Sequence, residues 1–179
     1  VITVLFWIVL SVSGSIPFLL FGFGVVDSFF ESMSGITTTG ATVIAGLDDL
    51  PKSLLIYRQL LQWLGGMGLI VLAIAVMPLL GIGGGQLFKT QTPGPMSEQR
   101  LTPRITSTAR ALWSIYFVLT VLCIFAYRLA GMNYFDAVSH AFSTVSIGGF
   151  STHDLSIGFF NSLSIEIVCI TFMLLSAMS

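Results

Sequence analysis

SGITTTGAT at 34–42 and STVSIGGFS at 143–151 hold the same place in two copies of one unit, and their reading decides the fold. Each is a Ser/Thr/Gly segment preceded by a long apolar run, a short loop and a short amphipathic stretch. Another apolar run follows it. The order reads as membrane helix, half-helix, extended polar turn, membrane helix. Non-helical backbone at membrane depth persists only where it is buried in protein or lines a polar cavity, so the first expectation is ion permeation.

The duplication can be checked residue by residue. Asp27 pairs with Asp136, Ser34 with Ser143, Thr37 with Ser146, Gly40 with Gly149 and Thr42 with Ser151, every pair 109 residues apart. Shared chemistry at one offset, across unrelated intervening sequence, marks an internal repeat.

Composition bounds the class. Of 179 residues 55% are hydrophobic and 8% charged, with mean hydropathy +0.96, where a soluble domain would be about a quarter charged. The net charge of −1 argues against a nucleic-acid partner. Cys123 and Cys169 fall in apolar runs and read as small packing residues. The stretches 2–24, 54–80, 111–130 and 160–179 approach or exceed the roughly 20 apolar residues a spanning helix needs. The chain opens and closes inside apolar runs, as a piece of a longer protein would. The expected architecture is an all-α membrane protein: a first helix–pore loop–helix repeat at 1–82, a basic connector at 83–110 and a second repeat at 111–179.

The connector holds Lys89, Arg100, Arg104 and Arg110 against Glu98, which by the positive-inside rule predicts a cytoplasmic loop. The two polar turns then face outside with Asp27, Glu31, Asp48, Asp49, Asp136 and Asp154, a set that would raise the local cation concentration or merely solvate the loops. The stretch 27–37 predicts a helix of about 15 Å, half a bilayer. Asp27 and Asp136 are placed to cap the N-termini, and each C-terminal end would turn its partial negative charge toward a cation near the midplane. Beyond it, a row of inward carbonyls can replace the water shell of an alkali ion. Gly40 and Gly149 suit such a row, because glycine takes positive φ freely and adds no side chain. Ordinary outer loops are the plainer reading of Ser/Thr/Gly clusters; the duplication and the half-length helices outweigh it.

These segments, with RQLLQWLGGMGLIVLAIAVMPLLGIGG at 58–84 between them, resemble the Trk/Ktr/HKT superfamily of cation transporters, nearest its bacterial TrkH/TrkG potassium-translocating branch. The resemblance runs end to end, and WLGGMG at 63–68, in register with both turns, sharpens it. It implies a K⁺-channel-like, pseudo-fourfold pore of four repeats, of which this chain carries two; the other two, with the gating loop of the third, are absent from it. It implies a filter in which Gly40 and Gly149, with the carbonyls of Thr38, Thr39, Ile147 and Gly148, coordinate K⁺ as the transported ion. Glycine rather than serine at both positions favours K⁺ over Na⁺. The resemblance also implies a bacterial inner-membrane location, a homodimer embedded in lipid, no tightly bound cofactor, and a cytosolic, TrkA-like nucleotide-binding ring as regulator.

Other residues read less sharply. Gly65, Gly66 and Gly68 read as close helix packing more than as a hinge. Arg58 either senses ions or pairs with an outer carboxylate, or it simply snorkels to the interface. Asp136 and His140 have a spacing that could bind a metal, though cap plus packing is the simpler account. Glu166 is costly inside its apolar run. GIGGG at 81–85 reads as a helix terminator rather than a phosphate-binding turn. The competing function is a secondary transporter with re-entrant hairpins and a midplane solute site, whose inverted repeats would place one turn on each side. An enzyme is disfavoured, as no nucleophile–base pair stands at membrane depth.

Overall fold

A computed structural model describes residues 2–76 and 101–178, and their regular structure is helical. Helix α1 spans Ile2–Leu20, α2 Val25–Ile36, α3 Lys52–Val76, α4 Leu101–Leu129, α5 Tyr134–Val145 and α6 Leu163–Met178, with 3-10 turns at Leu47–Asp49 and Ser156–Phe160. GIGGG at 81–85 and the basic residues Lys89 and Arg100 lie outside the described residues. The last ten positions of the expected connector, 101–110, are helical and belong to α4.

The long–short–long pattern occurs twice. At 12 residues, α2 and α5 are each about 18 Å long at 1.5 Å per residue, too short to cross a bilayer. Ala109–Leu129 within α4 is long and apolar enough to span one, and Val4–Leu20 and Leu163–Met178 are shorter apolar helices. The half-helices bury polar residues: Ser28, Glu31, Ser32 and Ser34 in α2, and Asp136, Ser139, His140 and Ser143 in α5. Their polar faces thus point into the protein, while Val9, Leu20, Phe117, Phe125, Ile170 and Leu174 are exposed. That inversion of inside and outside is what a bilayer solvent selects.

The repeat is kept bond for bond. At the end of α1, Phe21, Gly22 and Phe23 N–H groups donate to the carbonyls of Pro17, Leu19 and Phe18. At the end of α4, Ala130, Gly131 and Met132 donate to Ala126, Arg128 and Tyr127, the same positions 109 residues on. Phe18 and Tyr127, also 109 apart, are fully buried at equivalent points of the two cores.

Each unit has its own apolar cluster: Phe18, Ile36, Ile44, Leu54 and Leu61 in the first, and Cys123, Tyr127, Ala137, Ala141 and Val145 in the second, joined by Met67 of α3. Helix α3 links the units by packing on both α4 and α5. Trp63 Nε1 donates to Thr120 Oγ1 at 3.0 Å, and the Tyr116 hydroxyl donates to the Trp63 carbonyl at 3.0 Å. The outer loops are joined as well, because the Asp154 carboxylate accepts the N–H groups of Gly46 and Leu47, each at 3.1 Å. Both polar turns therefore lie on the same side of the molecule.

Candidate ion-coordinating site

The two half-helices end in the same turn. Thr37, Thr38 and Thr39 N–H groups donate to Met33, Gly35 and Ser34 carbonyls at 2.9, 3.0 and 2.9 Å. In the second unit Ser146, Ile147 and Gly148 donate to Phe142, Thr144 and Ser143 at 3.2, 3.1 and 2.9 Å. This is the Schellman pattern, which ties off orphan helix carbonyls through a left-handed residue that is usually glycine. The same motif ends α1 and α4 with Gly22 at φ 94° and Gly131 at φ 107°. At the half-helices the left-handed position is instead Thr38, φ 54°, and Ile147, φ 55°. A β-branched residue there is a genuine outlier, and the conformation costs about 1–2 kcal/mol.

Two residues further, Gly40 and Gly149 take φ 77° and 86°. With Thr37 at −82° and Ser146 at −79°, and no positive φ at Thr39 or Gly148, φ alternates in sign along 37–40 and again along 146–149. Such alternation swings successive carbonyls toward one side of the strand.

The two segments touch. A Cβ on Gly40 would fall 1.9 Å from the Gly148 carbonyl oxygen, so that position has no room for a side chain. Gln62 of α3 wedges behind the second segment, its Oε1 accepting the Phe150 N–H at 3.1 Å. Ser34 Oγ braces the first by donating to the Ala41 carbonyl at 2.6 Å. Gly149 has open space where a Cβ would go, and Ile147 beside it is exposed. Of the triple glycine in α3, Gly65 lies against the Ile36 carbonyl, 1.9 Å from an added Cβ, and Gly66 against Tyr116 and Ser146. Both are packing glycines; an added Cβ on Gly68 would meet nothing within 4 Å.

Arg58 takes the carboxylate pairing among its expected states. Its guanidinium is fully buried and paired with equally buried Glu31, Nη2 to Oε1 2.6 Å. Glu31 and Asp136 are therefore not mouth charges, which corrects the acidic set: among its members Asp27, Asp48 and Asp49 are exposed, and Asp154 is exposed while holding the Gly46–Leu47 turn. The expected caps also need correcting. The helices begin at Val25 and Tyr134, so Asp27 and Asp136 stand at the third helical position. Gly24 precedes α2 with no side-chain cap, and Asn133 caps α5 by accepting the Asp136 N–H. The apolar residues between loop and carboxylate, Val25-Val26 and Tyr134-Phe135, are already helical.

Asp136 and His140 point to different partners rather than to a shared metal. Asp136 Oδ1 accepts from Thr152 Oγ1 at 2.7 Å, and its Oδ2 from Asn133 at 2.6 Å. His140 bonds the Asp136 carbonyl at 2.9 Å and Ser151 Oγ at 3.0 Å. His153 stacks on Phe159 with ring centroids 3.5 Å apart and bridges Asp136, at 3.3 Å, to Asp48 in the other unit's loop. That hydrogen bond holds the Asp48 carboxyl below the usual carboxylate range.

All six expected coordinating residues, Thr38, Thr39, Gly40, Ile147, Gly148 and Gly149, thus lie in two strands brought side by side. Sequence reasoning missed the left-handed Thr38 and Ile147, the Gln62 wedge and the partner of Arg58. One available signal was the register itself, which sets Glu31 opposite His140.

The model of the TrkH family of cation transport proteins matches residues 1–179, the whole chain. The chain belongs to that family. Among TrkH relatives, the Trk system potassium uptake protein TrkH of Halomonas elongata is 59% identical over 181 residues, covering 99% of this chain and 38% of that protein. TrkH of Escherichia coli strain K12 is 53% identical over 178 residues, covering 98% and 37%. The crystal structure of the potassium transporter TrkH from Vibrio parahaemolyticus superposes with TM-score 0.83 at 55% identity, covering 98% of this chain and 35% of that one. The chain thus spans a little over a third of the length of these TrkH proteins, and its fold is that of an all-α membrane protein with helix–pore loop–helix repeats. These relatives are named as transport proteins, not as enzymes.

Proposed function

We propose that this chain supplies two of the repeats of a K⁺ uptake transporter, in which carbonyls of Thr38, Thr39 and Gly40 and of Ile147, Gly148 and Gly149 form part of a selectivity filter. The observation that carries the reading is the doubled left-handed backbone, Thr38 with Gly40 and Ile147 with Gly149. Two strands of alternating φ, each fed by a half-helix C-terminus and lying side by side, suit the replacement of an alkali ion's hydration shell. The names of the relatives, potassium uptake proteins, support K⁺ as the ion.

In this reading residues 1–82 and 111–179 are the repeats and 83–110 a cytoplasmic connector, with both polar turns facing outside across the bacterial inner membrane. The remaining repeats of the longer protein close the ring. A homodimer and a TrkA-like nucleotide-binding ring on the cytoplasmic face are the partners. No observation favours the inverted-repeat transporter, since both turns share one side.

The test uses the full-length protein in proteoliposomes, with Thr39→Cys and Ile147→Cys labelled from outside by an impermeant thiol reagent. K⁺ flux should exceed Na⁺ flux, and both cysteines should react more slowly in K⁺ than in its absence. Equal K⁺ and Na⁺ flux, or labelling of one turn only, would overturn the proposal.

A further inference from the structure

Arg58 holds three separate segments with one side chain. Its Nε donates to Glu31 Oε1 at 2.8 Å, Nη2 to Thr42 Oγ1 at 3.0 Å and Nη1 to the Ser151 carbonyl at 3.2 Å. The guanidinium carbon lies 4.4 Å from the centroid of the Phe150 ring. Thr42 Oγ1 in turn donates to Glu31, 2.9 Å from Oε1, and the Val43 N–H reaches Oε2 at 3.3 Å. The half-helix of the first unit, the strand leaving Gly40 and the strand leaving Gly149 therefore converge on one buried cation.

The second unit has no counterpart. At the 109-residue offset Glu31 becomes His140, Thr42 becomes Ser151 and Arg58 becomes Ile167. The strut there is neutral, His140 Nε2 to Ser151 Oγ at 3.0 Å. Arg58 thus spans the units, fixing Thr42 of one and Ser151 of the other. A buried ion pair is weak evidence of stability, since apolar residues of similar volume often serve as well. What apolar residues cannot supply is a rigid planar fork with donors set in three directions, and neither can the point charge of lysine.

We propose that Arg58 is a positioning residue that sets the separation of the 37–42 and 146–151 segments and thereby the ion they select. The inference rests on reading those segments as ion-coordinating. It is tested in the full-length protein with Arg58→Lys and with the double substitution Arg58→Leu, Glu31→Leu, which leaves no orphan charge. The readout is the K⁺:Na⁺ flux ratio in proteoliposomes, alongside the amount of folded protein and its Tm. The double variant should fold, keep its Tm within a few degrees and lose at least tenfold of the ratio, with Arg58→Lys also lowering it. A merely structural role would lower the amount of protein and leave the ratio alone, and that result overturns the proposal. If the double variant does not accumulate, Arg58→Lys decides on the same ratio. Loss of discrimination in the variants alone supports the proposal, whereas a wild-type protein that fails to discriminate overturns the filter reading and this inference together.

Discussion

Gly40→Ala and Gly22→Ala separate backbone strain from crowding at the ion site. Both glycines are left-handed, with φ 77° and 94°, so each alanine carries about 1–2 kcal/mol of conformational cost. They differ in surroundings. A Cβ on Gly22 meets nothing within 4 Å, whereas one on Gly40 falls 1.9 Å from the Gly148 oxygen, against a closest tolerable contact of 3.0 Å. The Gly148 carbonyl, or the whole first strand, must therefore retreat by more than 1 Å, the difference between those two distances. If Gly148 O is an ion ligand, that displacement ruins its distance to an ion shared with the first strand. Gly40→Ala should lose more thermal stability in detergent than Gly22→Ala, by about 1–3 kcal/mol for the added crowding. Only Gly40→Ala should lower the K⁺:Na⁺ flux ratio of the full-length transporter, by tenfold or more, equivalent to about 1.4 kcal/mol. A Gly40→Ala protein with a wild-type ratio, or a Gly22→Ala protein with an equally damaged one, refutes the reasoning.

Gly65→Ala should destabilise by about 1–3 kcal/mol, because the new methyl meets the Ile36 carbonyl at 1.9 Å and α3 must lift off the end of α2; an unchanged Tm would contradict that packing. Gln62→Leu removes the acceptor of the buried Phe150 N–H and should cost about 1–3 kcal/mol, read by thermal unfolding. Asp48→Asn tests the link between the outer loops. Because His153 holds the Asp48 carboxyl below its ordinary value of 3.8, the contact stabilises above that pH and is lost as pH falls through the lower, folded value. Wild type should exceed Asp48→Asn in Tm at neutral pH, and the two should converge below pH 3.8; a gap that persists in acid would assign it to something else.

The repeat was legible because matched Asp, Ser/Thr and Gly positions at one offset stand between long apolar runs. The half-helices were legible from the same contrast, but their starts were not. Carboxylates suggested caps at Asp27 and Asp136, while the backbone turns helical two residues earlier, behind Gly24 and Asn133. Arg58 was ambiguous because its partner lies 27 residues away on another helix, and nothing local distinguishes a snorkelling arginine from a buried one. The left-handed Thr38 and Ile147 were hidden for a stronger reason: β-branched residues argue against that conformation, so local propensity points the wrong way.

That last misreading is itself informative about the site. Where α1 and α4 end, the Schellman turn uses glycine and the strain is absent; where α2 and α5 end, the same turn is forced on threonine and isoleucine. Strained backbone persists only when its surroundings over-determine it, and here the restraints are visible. Ser34 braces Ala41, Gln62 holds Phe150, Arg58 ties Thr42 to Ser151, and His140 bonds Ser151 from behind. Every one of these bonds falls on the strand just after Gly40 or Gly149, and none depends on the carbonyls that precede those glycines. The scaffold therefore fixes each strand from its far end; the Thr37 and Ser146 hydroxyls bond back to Met33 and Ser143 of their own half-helices, and among the described residues no side chain donates to the carbonyls of Thr38, Thr39, Ile147 or Gly148, which is the arrangement a row of oxygens needs if its intended partner is an ion.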